Sequence, residues 1–252
     1  MKYFLFVTAV LFAGPLTAQN LQLHYDLRHT VAPGNNPHNF PTLYFEYFKN
    51  QDTGPDSVKP GSILIKPGSF LMKMQADFNG ADNNQGKFYM QVSQSLRFWK
   101  PKIYLSLQYS GGLGVTEPKQ YSYYIANTFS VGADYVFQWK KAWFSAVLNY
   151  KYIPYKKPSN DFLYTLYWWK GLLNYKLELA GDFSVWRENK DHGDGNADGV
   201  KGKRFFFFAE PQIWYNVNKT LALGTRINMY YHVYTSENDF QSYPTVAVKC
   251  KF

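Results

Sequence analysis

The chain of 252 residues holds a single cysteine, Cys250, which excludes a disulfide framework and any zinc or iron–sulfur site built on thiolates. Long apolar runs are also missing. Beyond the first 20 positions no uninterrupted stretch approaches the ~20 residues that a membrane-spanning helix needs. Catalytic signatures are as scarce: there is no G-x-S-x-G and no H-E-x-x-H. The glycine clusters fail as phosphate loops, since Gly111, Gly112 and Gly114 run into Glu117, and Gly202-Lys203 is followed by Arg204. We therefore expect no enzyme and no cofactor. The one catalytic alternative is a barrel lipase, in which a histidine such as His24 or His232 would meet a serine only in space.

What the chain does have is aromatic side chains, 20% of all residues, within a hydrophobic fraction of 46%. That composition excludes disorder. Residues 1–18 carry Lys2, an apolar stretch from Tyr3 to Ala13, Pro15, and small residues at Thr17 and Ala18, the layout of a secretory signal peptide. The formal net charge of +9 includes only Lys2 from this leader, so the exported part, residues 19–252, stays basic. A secreted chain makes nucleic acid a poor reading of that charge. A basic pore wall or a surface against anionic lipid suits it better.

From Leu21 onward the pattern is alternation, the two-residue period of strands with one apolar and one polar face. Phe70, Met72, Met74, Ala76 and Phe78 alternate with Lys73, Gln75 and Asp77, and Phe144, Ala146, Leu148 and Tyr150 with Ser145, Asn149 and Lys151. The spacing predicts strands near 21–28, 40–49, 69–78, 87–98, 102–110, 123–137, 142–153, 161–169, 172–186, 204–215, 220–230 and 243–252. Tight turns are expected at Trp99 to Pro101, Gln138 to Lys141, Lys170 to Gly171 and Asn216 to Lys219, with longer polar loops on the opposite side. An even strand number with short turns on one rim and long loops on the other describes an all-β, transmembrane, up-and-down antiparallel β-barrel of about 12 strands in a bacterial outer membrane. Residues 50–68, with Gly54, Pro55, Pro60, Gly61 and Pro67, exceed any tight hairpin and read as a periplasmic insertion, with room for a short strand from Ser62 to Lys66.

Three features favour a membrane barrel over a soluble one. About twelve strands enclose more volume than apolar side chains fill. Aromatics, including Tyr44, Phe45, Tyr47, Phe48, Phe98, Trp99, Trp168, Trp169, Trp186 and Trp214, crowd the expected strand ends, as interfacial girdles require. The last strand alternates to a final Phe252, which resembles the recognition signal of the outer-membrane insertion machinery. The rival, a secreted soluble β-sandwich, leaves the run from Phe205 to Phe208 hard to place.

Several segments together resemble a known group: Asn20-Leu-Gln-Leu-His-Tyr25, Leu96-Arg-Phe-Trp-Lys100, Tyr109-Ser-Gly-Gly-Leu113, Asp182-Phe-Ser-Val-Trp-Arg-Glu188, Glu210-Pro-Gln-Ile-Trp-Tyr215 and Tyr243-Pro-Thr-Val-Ala-Val248. They are similar to the Tsx-like nucleoside-specific channels, and more closely to a related set of small outer-membrane barrels with a domain of unknown function. The resemblance implies a twelve-stranded barrel and passive uptake of nucleosides or similar polar solutes.

Strand parity turns Glu46, Lys73, Asp77, Arg97, Lys102, Asp134, Lys151, Lys176, Glu178, Asp182, Glu210, Arg226 and Lys249 toward the lumen. Both signs occur, which argues against a simple anion pore. For a constriction we single out Arg97, Glu178, Asp182, Glu210 and Arg226, with Tyr89, Phe206, Phe208 and Trp214 as stacking faces, because charges and rings can replace part of a solute's hydration. The plainer reading is that opposite charges on neighbouring strands pair and plug a closed lumen. In the loop from Asp191 to Gly199, Asp194-x-Asn196-x-Asp198-Gly199 matches the first half of a calcium loop, but Phe205 stands where a bidentate Glu is needed, and Lys201, Lys203 and Arg204 carry the wrong charge. No metal site is expected. The expected partners are outer-membrane lipid and a small polar solute. The alternative is a non-transporting accessory barrel, with an envelope protein as its partner.

Overall fold

The computed structural model describes residues 19–49, 66–80, 84–97, 103–115, 121–195, 197–234 and 237–252. The leader, most of the expected insertion (50–65), the turn at 99–101 and Lys102 lie outside them. The strands are β1 (Gln19–Asp26), β2 (Phe40–Lys49), β3 (Lys66–Asp77), β4 (Lys87–Arg97), β5 (Ile103–Val115), β6 (Ser122–Trp139), β7 (Ala142–Ile153), β8 (Ser159–Leu172), β9 (Leu177–Asn189), β10 (Lys203–Ala209), β11 (Gln212–Asn216), β12 (Leu221–Tyr231) and β13 (Phe240–Lys251). One helical turn, α1 (Arg28–Val31), follows β1.

From β1 to β9 every strand pairs antiparallel with the next, as do β12 and β13, and β1 also pairs with β13, from Asn20 opposite Lys251 to Asp26 opposite Thr245. The sheet is a closed ring without free edges. Strands β10 and β11 both lie between β9 and β12, so thirteen segments make twelve columns. The column expected as one strand over 204–215 is broken at Glu210-Pro211, because a proline gives the ladder no N–H. Pairing resumes on either side through Glu210 N–H to the Asp182 carbonyl and Ile227 N–H to the Pro211 carbonyl. Opposite the break Gly181 has φ +151°, and a Cβ there would sit 2.6 Å from the Glu210 carbonyl oxygen, so this close approach needs glycine.

Side chains alternate between two environments. Along β1, Gln22 and His24 are 2% and 0% exposed and point inward, while Leu23 and Tyr25 are about half exposed and point outward. The same alternation puts Leu107, Val131, Leu148, Ile213, Leu223, Val246 and Val248 on the outer wall, and Lys73, Asp134, Lys151, Asp182 and Lys249 inside. This is the polarity of a transmembrane barrel, with an apolar band outside and a polar lumen.

The rims also differ in length. Lys140 and Lys141, both with positive φ, make a two-residue hairpin between β6 and β7. The turn after β8 departs from expectation. Strand β8 runs on through Lys170 and Gly171 to Leu172, and the chain reverses at 173–176 through Leu173, Asn174 and Tyr175, all at positive φ. Leucine and tyrosine at alternate positions carried the apparent period straight through this turn. Lys176 therefore lies on an exposed turn and not in the lumen. Strand β3 begins at Lys66, so the end of the expected 50–68 insertion is already paired strand.

The aromatics divide between girdle and lumen. Trp139, Tyr175 and Tyr215 are exposed at the short-turn rim, with Tyr175 stacked on Trp169. Trp186 and Trp214, expected in the girdle, face inward instead: Trp214 is completely buried and Trp186 stacks on Phe206. Parity along β9 and β11 dictates this, whatever the distance from the strand end.

Candidate functional site: an ion-paired lumen

At mid-height a belt of side chains closes the lumen. Lys73 on β3 donates a 2.5 Å hydrogen bond to Asp182 on β9, six columns away in a ring of twelve, so this ion pair spans the barrel. The same ammonium is 3.8 Å from Glu210. A second bridge lies beside it, with Gln91 Nε2 on β4 donating to the Tyr167 hydroxyl on β8 at 2.9 Å. Arg226, fully buried, places Nη1 3.1 Å from Glu210 and its guanidinium 5.0 Å from the Tyr44 ring centre. His24, between the Tyr44 and Trp214 rings, is hydrogen-bonded to Thr245 and Gln22. Two cations and two carboxylates thus neutralise one another. Burial makes that pairing compulsory, since an unpaired charge there would keep its full desolvation penalty.

Toward the long loops further pairs follow. Arg28 binds Asp26 through Nε and Nη2 at 3.0 and 2.9 Å. Lys87 lies 2.6 Å from Asp77 and donates to the Tyr234 hydroxyl at 2.7 Å. Lys151 donates to Glu188 at 2.7 Å, and Glu188 also accepts from Trp186 Nε1. Trp186 and Phe206 stack at 5.3 Å with planes 7° apart. A polar recess of about 330 Å³ opens at this rim between Arg28, Asn36, Tyr234 and Tyr243.

Toward the short turns the lumen widens into a cup of about 520 Å³. On one wall Glu178 receives Lys249 at 3.3 Å and Lys251 at 2.5 Å. On the opposite wall Asp134 accepts hydrogen bonds from Ser95 and Ser145, both at 2.6 Å. Phe48 from β2 and Trp143 from β7 meet across the cup, their ring centres 5.5 Å apart.

Of the residues singled out from the sequence, Asp182, Glu210, Arg226 and Trp214 converge on the belt. Glu178 lies below it, in the cup wall. Phe208 packs on Tyr230, and Phe206 on Trp186 nearer the long loops. Arg97 stands apart, near the short-turn end of β4, 5.9 Å from the Tyr104 ring. Tyr89 is hydrogen-bonded to Ser110. Lys73 and Asp134 were legible as lumen residues but not as key ones, Tyr44 was expected in the girdle but lies buried against Arg226, and Gln91 and Tyr167 were missed. Aromatic and amide residues inside an alternating strand give no signal of a partner on a non-adjacent column.

The described residues of the loop at 190–202 fold around Asp191. Its carboxylate accepts from Lys157 Nζ at 2.6 Å and from the N–H groups of Gly193 and Gly199 at 2.9 and 2.8 Å. Chiefly through the Lys157 bond, its pKa is lowered to about 2. An ammonium in that position is the wrong charge for a calcium site. Among the described residues no three His, Cys, Asp or Glu side chains are grouped to hold a metal.

A family model described as a domain of unknown function, DUF5020, matches residues 18–252. No curated protein matches the chain in sequence. Among solved structures, the NanC porin is 10% identical, with 93% of this chain and 99% of that one covered and a TM-score of 0.49. LpxR from Salmonella typhimurium is 10% identical, covering 94% and 100%, with a TM-score of 0.41. The Acinetobacter baumannii outer membrane protein Omp33 is 12% identical, covering 94% and 98%, with a TM-score of 0.39.

Proposed function

The chain belongs to the DUF5020 family, and for this member of it we propose an outer-membrane channel for small polar solutes whose lumen is held shut by an ion-paired belt. The observation that carries this reading is the nature of the closure. The trans-lumen contacts, Lys73 to Asp182 and Gln91 to Tyr167, are made by side chains of the wall itself. Both contacts end on rotatable side chains, and the cup below already has the volume of a small-molecule site. Charges of both signs with aromatic faces suit uncharged or internally balanced solutes. Nucleosides are the solute class implied by the sequence resemblance. The Trp186–Phe206 pair, stacked ring on ring with Lys151 Nζ 4.4 Å from the Trp186 centre, supports them by bringing planar aromatic chemistry to the long-loop end.

A second reading, a non-transporting barrel in a larger envelope assembly, draws on the near-complete charge pairing in the belt. Hydrolysis finds less support: His24 is sealed between rings, and His232 is hydrogen-bonded to the Phe205 carbonyl and Asn238, so neither addresses a serine. Liposomes loaded with the purified protein separate the first two readings. We expect uridine and adenosine to enter faster than through protein-free vesicles, and Phe206→Ala to slow adenosine more than a sugar of similar size. Uptake equal to that of empty vesicles would favour the accessory barrel.

A further inference from the structure

The charges lining the cup do not balance. Lys73, Lys249 and Lys251 face Glu46, Asp134, Glu178 and Asp182. Lys73 is taken by Asp182, the two C-terminal lysines share Glu178, and Glu46, which accepts from Asn20 and Tyr44, stands in the field of Lys249. That leaves Asp134. Its carboxylate, in a residue only 2% exposed, accepts from the Ser95 and Ser145 hydroxyls with Ser69 as a further donor, and no described lysine, arginine or histidine acts on it. It stands on β6, six columns from the lysines of β13, which lie on the far side of the cup. Hydroxyl donors solvate a carboxylate without cancelling its charge.

The rings at the cup mouth supply a second, independent observation. Trp143 lies on the same inward row of β7 as Ser145, two residues before it, and meets Phe48 from β2 across the lumen. A carboxylate without an ion pair among the described residues, lining the same cup of about 520 Å³ as two aromatic rings, is the chemistry that holds a cation with an apolar skin.

We propose that Asp134, with Trp143 and Phe48, forms a subsite for a small organic cation bearing one ammonium group. The channel reading gives this subsite its role, as a selector of positively charged or zwitterionic solutes at the short-turn end. Binding itself is independent of conduction.

The test uses the whole barrel in a non-ionic detergent, with choline chloride as the probe and saturation-transfer NMR as the readout. Its uncharged isostere, 3,3-dimethylbutan-1-ol, serves as competitor. Choline should bind saturably, the isostere should not displace it, and Asp134→Asn should weaken binding at least fivefold. Because Asp134→Asn removes a buried acceptor of serine hydroxyls, Trp143→Leu is measured beside it and should weaken choline severalfold, with both variants checked for heat-modifiable gel migration. Equal choline binding by both variants, or displacement by the isostere, overturns the proposal. Bilayer recordings separate it from the channel reading: current without choline binding refutes the subsite alone, and choline binding without current refutes the channel alone.

Discussion

Arg226 shows what a residue inside this barrel has to satisfy. It is completely buried, it pairs with Glu210, and none of its three side-chain nitrogens donates a hydrogen bond among the described residues. Its charge therefore rests on the Glu210 contact and the Tyr44 ring. Replacing one member of such a pair leaves the other buried and uncompensated, which costs about 3–5 kcal/mol, whereas replacing both with neutral groups of similar size is close to neutral. Arg226→Met should accordingly lower the urea midpoint of the detergent-solubilised protein strongly, and Arg226→Met with Glu210→Gln should recover most of the loss. A double variant no better than the single one would show that the pair is not the unit. The sequence marked both residues as inward-facing because each falls on the polar parity of its strand. It could not show that Lys73 lies 3.8 Å from the same Glu210, since that contact joins two columns far apart in the ring.

Elements show where parity holds and where it slips. Alternation is a sound guide while the backbone stays extended, and β1, β7 and β13 lie close to where it puts them. It fails at 173–176, where leucine and tyrosine keep the period through a reversal, and at Glu210-Pro211, where one column needs two segments. The loop at 190–202 was read for its acids as half a calcium site, yet its order centres on one carboxylate and a lysine from the neighbouring loop. The pKa of Asp191 is lowered from 3.8 to about 2, so its ionised form is favoured by the folded loop. Its contribution is complete above the ordinary value and is lost as the pH falls through 3.8 toward 2. Hydrogen-exchange protection at the Gly193 and Gly199 amides, taken relative to the intrinsic rate at each pH, should therefore fall across that window in the native chain. In Asp191→Asn it should already be low at pH 6 and show no such step. A native loop equally protected at pH 2 and pH 6 would rule out the carboxylate as its anchor.

At the level of the whole molecule, a closed ring of twelve columns turns one apolar surface outward and, from the belt to the long loops, encloses charges that neutralise each other in pairs. The closed architecture was legible because every strand contributes to the same two-faced pattern, and the division between short turns and long loops repeats around the ring. The belt was legible only as a set of inward charges: which of them touch depends on the width of the ring, and no local pattern records it. Whether that belt is a gate is the central question, and charge exchange across Lys73 and Asp182 in single-channel recordings answers it most directly. Lys73→Asp should set two carboxylates against each other and raise the open conductance severalfold over the native protein. Lys73→Asp with Asp182→Lys should restore the pair and return the conductance to the native level. If the single and the exchanged variants both conduct like the native protein, the pair does not close the lumen, and the account is contradicted.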